Sequence, residues 1–142
     1  MRIGKYEFRE DLFYTKQHLW ISIKGNIARI GVDSYLIDKL EEITNIELTY
    51  IDNEVEVSDT VATIYFDSES LEIESPFSGK IVNLNEDIEY DPDLLIDSNY
   101  DDGWLVEIEL ENNNEVKKLI AVEKLLSGEQ AEEWFRSEIE KE

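Results

Sequence analysis

The groups able to do chemistry in this 142-residue chain are few. There is one histidine, His18, and no cysteine. Without thiolates or a second imidazole, a zinc site would have to be built from carboxylates. No nucleophile–base motif accompanies His18, so a small hydrolase built on it is the remotest reading. The expected role of His18 is packing or hydrogen bonding. Asp97, Asn99 and Asp101 follow a D-x-N-x-D spacing, but Asp102 and Ile108 stand where a calcium loop needs glycine and glutamate. A solvated acidic loop is expected there, and no metal site is predicted. With 35 carboxylates, close acidic pairs arise by chance and do not by themselves indicate acid–base catalysis. None of the glycines forms a phosphate-cradling motif. No primary amine occurs between Lys39 and Lys80.

The elements that must position these groups follow from composition and periodicity. About 42% of the residues are apolar and 11% aromatic, enough for one packed domain. The net charge of −22 repels nucleic acid and anionic lipid and favours basic protein partners. The lack of cysteine excludes disulfides and fits a reducing compartment. No apolar run approaches membrane-spanning length and the N-terminus has no signal-type core, so a cytoplasmic location is expected.

Residues 1–13 read as a lead-in of mixed charge, with Phe8, Leu12 and Phe13 available for packing. Residues 19–23 and 27–32, joined through Lys24-Gly25-Asn26, read as a hairpin. Asp33-Ser34 opens a short helix over about 34–42, with Tyr35, Leu36, Ile37, Leu40 and Ile43 at helical spacing. Strands follow at 46–50, around Val55 and Val57, and at 61–66. A polar tip at 67–70 leads into an alternating run at 71–74, and Ser75-Pro76-Phe77-Ser78-Gly79 punctuates it. Residues 81–84 read as strand, 85–103 as an acidic loop, and 104–110 as the clearest alternating strand. Residues 115–126 suit either a returning strand over 116–122 or a helix. Ser127 and Gln130 resemble a capping box before a closing helix at about 128–141. Trp20, Trp104 and Trp134 read as core or interface aromatics.

Several of these segments, taken in order, resemble the H protein of the glycine cleavage system. The likeness is carried by Tyr14-Thr15-Lys16, His18 and Trp20, by Gly31-Val32-Asp33-Ser34-Tyr35, and by Ile46-Glu47-Leu48. It continues through Asp52-Asn53-Glu54-Val55, the Ser75–Gly79 punctuation, Asp91-Pro92-Asp93-Leu94-Leu95 and Tyr100-Asp101-Asp102-Gly103-Trp104-Leu105. It needs no gap from Asp52 to Leu110. The resemblance implies a lipoyl/biotinyl-type β-sandwich, or flattened barrel, with a short internal helix and a C-terminal helix. It places a single domain over 14–142, after the 1–13 lead-in.

The family carries lipoate on one lysine at a hairpin tip. Aligned back from Pro76, that position is Ser68, within Tyr65-Phe66-Asp67-Ser68-Glu69. Lipoate is attached as an amide and needs a primary amine on a long arm, so no lipoyl-attachment residue is assigned and no cofactor is predicted. Residues 67–102 also contain 12 acidic side chains and one lysine. The expectation is a non-enzymatic, non-lipoylated binding module, accessory or regulatory to glycine-cleavage or lipoate-ligating enzymes. Its candidate docking surface is Asp67, Ser68, Glu69, Ser70 and Glu72. The alternative is a working H-type carrier, with lipoate on an unexpected lysine such as Lys80.

Overall fold

The computed structural model describes residues 1–141. A first hairpin of β1 (Arg2–Ile3) and β2 (Tyr6–Glu7) precedes β3 (Phe13–Tyr14), β4 (Leu19–Lys24) and β5 (Ile27–Val32). Helix α1 (Ser34–Lys39) leads to β6 (Ile43–Leu48), β7 (Glu54–Val55), β8 (Thr60–Phe66), β9 (Glu69–Glu74) and β10 (Gly79–Leu84). Two short helices, α2 (Glu86–Tyr90) and α3 (Leu94–Asp97), precede β11 (Val106–Leu110). Helices α4 (Asn114–Ala121) and α5 (Gly128–Glu140) close the chain.

The strands form a mainly β, flattened sandwich. One sheet has the order β3-β4-β5-β11-β10-β7 and the other β6-β8-β9, and every pairing is antiparallel. Alternation decides which side chains enter the core, because successive strand residues point to opposite faces. On β11, Val106, Ile108 and Leu110 are buried while Glu109 is exposed. Ile21, Ile30, Ile81 and Ile108 from the larger sheet join Ile46, Ile64 and Ile73 from the smaller in one apolar cluster. The close approach of β10 to β11 requires glycine at 79, where an added Cβ would lie 2.2 Å from the Glu109 carbonyl oxygen.

A second cluster is largely aromatic. Ile3, Tyr6, Phe8, Tyr14, Trp20, Tyr100, Leu126, Ala131 and Phe135 bind the first hairpin and α5 to the sandwich. The hairpin at 19–32 forms as expected, with Gly25 at φ 61° in its turn. Asp33 caps α1 by accepting the Leu36 N–H at 3.0 Å, but the helix stops at Lys39, short of the expected 42, and Ile43 opens β6 opposite Phe66 instead of continuing the helical face. Val57 lies outside β7 and is half exposed.

Elsewhere one expectation is corrected, one open alternative is decided and one expected capping contact is absent. The acidic stretch 85–103 is not all loop, because Ile88 and Leu95 are wholly buried and each draws a helical turn, α2 and α3, onto the sandwich. In the ambiguous stretch 115–126 the helix wins. Val116, Leu119 and Ile120 recur at helical spacing, and Val116 and Leu119 pack on the core. Ser127 does occupy the N-cap of α5, but its side chain makes no capping bond. The start of α5 is set instead by a bridge just before it, in which Tyr14 and Leu126 exchange backbone hydrogen bonds of 2.8 Å.

Candidate functional site

The candidate site is the tip of the β8–β9 hairpin. Strand β8 draws its stiffness from Thr60, Val61, Thr63 and Ile64, whose branched side chains favour the pleated surface. The ladder runs to the pair Phe66–Glu69, which leaves Asp67 and Ser68 as a two-residue loop. Both have positive φ, 42° and 63°, the left-handed pair that matches the twist of a tight hairpin. The Asp67 N–H also donates to the Glu42 carbonyl at 3.3 Å, which ties the tip to the segment before β6.

The five residues expected to form a docking surface divide between turn and strand. Asp67 and Ser68 are the turn, whereas Glu69, Ser70 and Glu72 belong to β9 and all five are exposed. Across the ladder, Ser70 faces Tyr65 and Glu72 faces Thr63. The neighbouring strand places Glu47 opposite Thr63, so Glu47 and Glu72 flank the same central position. Their charge, Glu47 foremost, raises the pKa of the Tyr65 phenol. Glu47 and Tyr65 are therefore part of this polar face. Register alone unites them with the tip, and the period-two alternation of 46–50 is the only sequence signal that places Glu47 on an outer face.

Among the described residues, no lysine or arginine forms an ion pair with Asp67, Glu69 or Glu72. The tip is an uncompensated acidic surface with a hydroxyl at its turn. Ser68 offers no amine to form an amide, so the residues at the tip do not fit lipoate. Lys80 lies elsewhere. It sits inside β10, opposite Glu109 on one side and Glu54 on the other, and its Nζ is 3.9 Å from Asp52. Beside β9 runs a groove of about 830 Å³, walled by Gln17, Leu71, Ile73, Pro76, Leu119 and Val122 among others. Two of its lining residues, Val57 and Val122, are exposed apolar side chains.

The other residues considered for chemistry are engaged in the fold. Asn99 is buried and donates to the Val32 carbonyl at 3.0 Å, and Asp101 takes both ends of a bidentate pair with Arg9 at 2.8 and 3.1 Å. The Arg9 guanidinium holds the Asp101 carboxyl below its ordinary value. The Asp97–Asp101 spacing thus does not converge, and among the described residues no group of His, Asp and Glu side chains is arranged to hold a metal ion. His18 is buried between Asp33 and Glu138, a hydrogen-bonded arrangement in keeping with its expected role.

Known proteins agree with this architecture. Residues 12–136 match the family described as Glycine cleavage H-protein. A relative from Sulfolobus acidocaldarius, named a probable glycine cleavage system H protein 1, is 33% identical over 123 residues, covering 87% of this chain and 89% of its own. The glycine cleavage system H protein of Staphylococcus epidermidis is 33% identical over 110 residues, covering 78% of this chain and 87% of its own. The crystal structure of an H protein from Mycobacterium marinum superposes with a TM-score of 0.68 at 24% identity, over 73% of this chain and 87% of that one, and shares the fold. The chain belongs to the glycine cleavage H-protein family.

Proposed function

We propose that this family member serves as a protein-docking module whose β8–β9 tip carries no lipoate. What supports the reading is the serine at the turn, Ser68, which the resemblance, aligned back from Pro76, sets at the family's lipoyl-lysine position. The exposed carboxylates of Asp67, Glu69 and Glu72 suit a basic pocket on a partner, and long-range attraction would steer such a partner to the tip. The partners proposed are glycine-cleavage or lipoate-ligating enzymes. The chain contributes shape and charge to them and performs no catalysis itself.

Family membership favours a second reading, because both relatives are named as H proteins of the glycine cleavage system. In that reading the chain is a working carrier, with lipoate on another lysine such as Lys80. Against Lys80 stands its place within a paired strand, away from any hairpin tip.

Intact-mass analysis of the protein purified from its own cell separates the two. The docking reading expects the unmodified chain mass, also after co-expression with a lipoate ligase and lipoate. A lipoyl adduct on any lysine overturns it, and loss of that adduct in Lys80→Arg would establish the carrier. Ser68→Lys restores an amine to the turn and should create a ligase-dependent adduct on that residue alone.

A further inference from the structure

His18 stands at a junction that the tip does not use. It ends the tight turn between β3 and β4, where its N–H donates to the Thr15 carbonyl at 3.0 Å and its φ is 69°. Histidine is among the residues that tolerate this left-handed region. Its own carbonyl accepts the Asp33 N–H at 2.9 Å, so the main chain that carries the ring is fixed through both its N–H and its carbonyl. The imidazole Nδ1 lies 2.7 Å from Asp33 Oδ2, and Nε2 lies 2.9 Å from Glu138 Oε1. The Tyr35 ring stacks on it at 4.7 Å and 20°, and Trp134 packs against it at 4.8 Å.

Proton counting makes the arrangement informative. A neutral imidazole has one N–H and one lone pair, whereas the imidazolium has two donors. Two ionised carboxylates at hydrogen-bond distance from both nitrogens are satisfied together only by the imidazolium. A neutral ring would aim its lone pair at one of them. We propose that His18 is a proton-dependent clasp that fastens the last turn of α5 to the β3–β4 turn through Glu138, while Asp33 anchors the ring from below.

The surroundings determine which side lets go. Asp33 is fully buried, and its other oxygen is committed to capping α1, so Nδ1 keeps its hydrogen toward Asp33. Glu138 is partly exposed and has a second partner, the Lys141 Nζ at 2.8 Å, so it can leave. From α1 the cluster is faced by Asp33 and Tyr35, with the Lys39 Nζ 4.7 Å above the Tyr35 ring. From α5 it is faced by Glu138, Lys141 and Trp134. The phenols of Tyr14 and Tyr100 feel the Asp33 charge from behind.

Burial opposes charge on the imidazole, but the Asp33 and Glu138 carboxylates outweigh it, and the pKa of His18 stands above its ordinary value. Burial likewise raises Asp33 against the pull of His18. Glu138 falls below its ordinary value, since Lys141 and His18 overcome its partial burial. A histidine raised in the folded state contributes stability that is complete below its unfolded value, near 6.5, and is lost as pH rises through the folded value. The clasp is therefore closed in mild acid and opens toward alkaline pH.

The test is NMR of the whole chain from mild acid to alkaline pH, following the His18 ring nitrogens and amide exchange along α5, corrected for intrinsic rate. Below the transition both nitrogens should be protonated. Above it only Nδ1 should remain so, and protection of residues 136–140 should fall roughly tenfold or more at the same midpoint. Glu138→Gln leaves a neutral amide that pairs with either ring form. It should lower the His18 midpoint and flatten the pH dependence of α5 protection. A neutral ring in mild acid, protection unchanged through the His18 transition, or a midpoint unmoved by Glu138→Gln would each overturn the proposal.

Discussion

Removing one ring tests whether the C-terminal helix belongs to the folded unit. Phe135 is wholly buried and, with Ala131, is one of the two buried residues of α5. Its ring centroid lies 5.3 Å from Phe8, 6.0 Å from Trp134, 6.3 Å from Tyr6 and Tyr35, and 6.4 Å from Tyr14. These neighbours come from the first hairpin, β3, α1 and α5, so no single segment can slide in to fill the space. Phe135→Ala should therefore fall in the usual range for a buried phenylalanine, about 3–5 kcal/mol. Against a total of about 5–15 kcal/mol for a domain, that loss is large and should lower Tm by roughly 10–17 °C. The assay is urea unfolding of both proteins, with midpoint and slope fitted together. A single transition shifted to lower urea at unchanged slope is expected. A loss below about 1 kcal/mol would mean that α5 is not docked on the aromatic cluster, and the account of the second core would fail.

Two further substitutions probe the backbone. Gly31→Ala places a Cβ 2.2 Å from Trp20 Cε2, and Trp20 cannot retreat because its Nε1–H donates to the Asn99 carbonyl at 2.9 Å. It should cost about 1–3 kcal/mol and change the near-ultraviolet signal of the buried indole, and an unchanged unfolding midpoint would contradict this packing. Ser68→Gly relieves a non-glycine residue at φ 63°, worth about 1–2 kcal/mol, against about 0.5–1 kcal/mol for the extra freedom of glycine when unfolded. A net gain of roughly 0.5–1 kcal/mol in urea unfolding is expected, and destabilisation would show that the tip is not the tight turn described.

The chain's own order of residues was enough to specify most strands and the family. Alternation at 106–110, the Gly25-Asn26 turn and the Asp33 cap are local signals, each decided within a few residues by backbone sterics and short hydrogen bonds, whereas the expected residues 104 and 105 lie outside the strand. That no lysine lies between Lys39 and Lys80 is likewise a matter of covalent composition, legible in the chain itself. Tertiary structure decided what depends on partners distant in sequence. The acidic stretch 85–103 became helical at α2 and α3 because Ile88 and Leu95 found room in the sandwich. The start of α5 was set by pairing between Leu126 and Tyr14 rather than by its own capping residues. Glu47 joined the tip's polar face only through strand register. His18 met Glu138 across 120 positions of chain. Such contacts exist only once burial has fixed the elements against one another, and no local pattern of side chains encodes them.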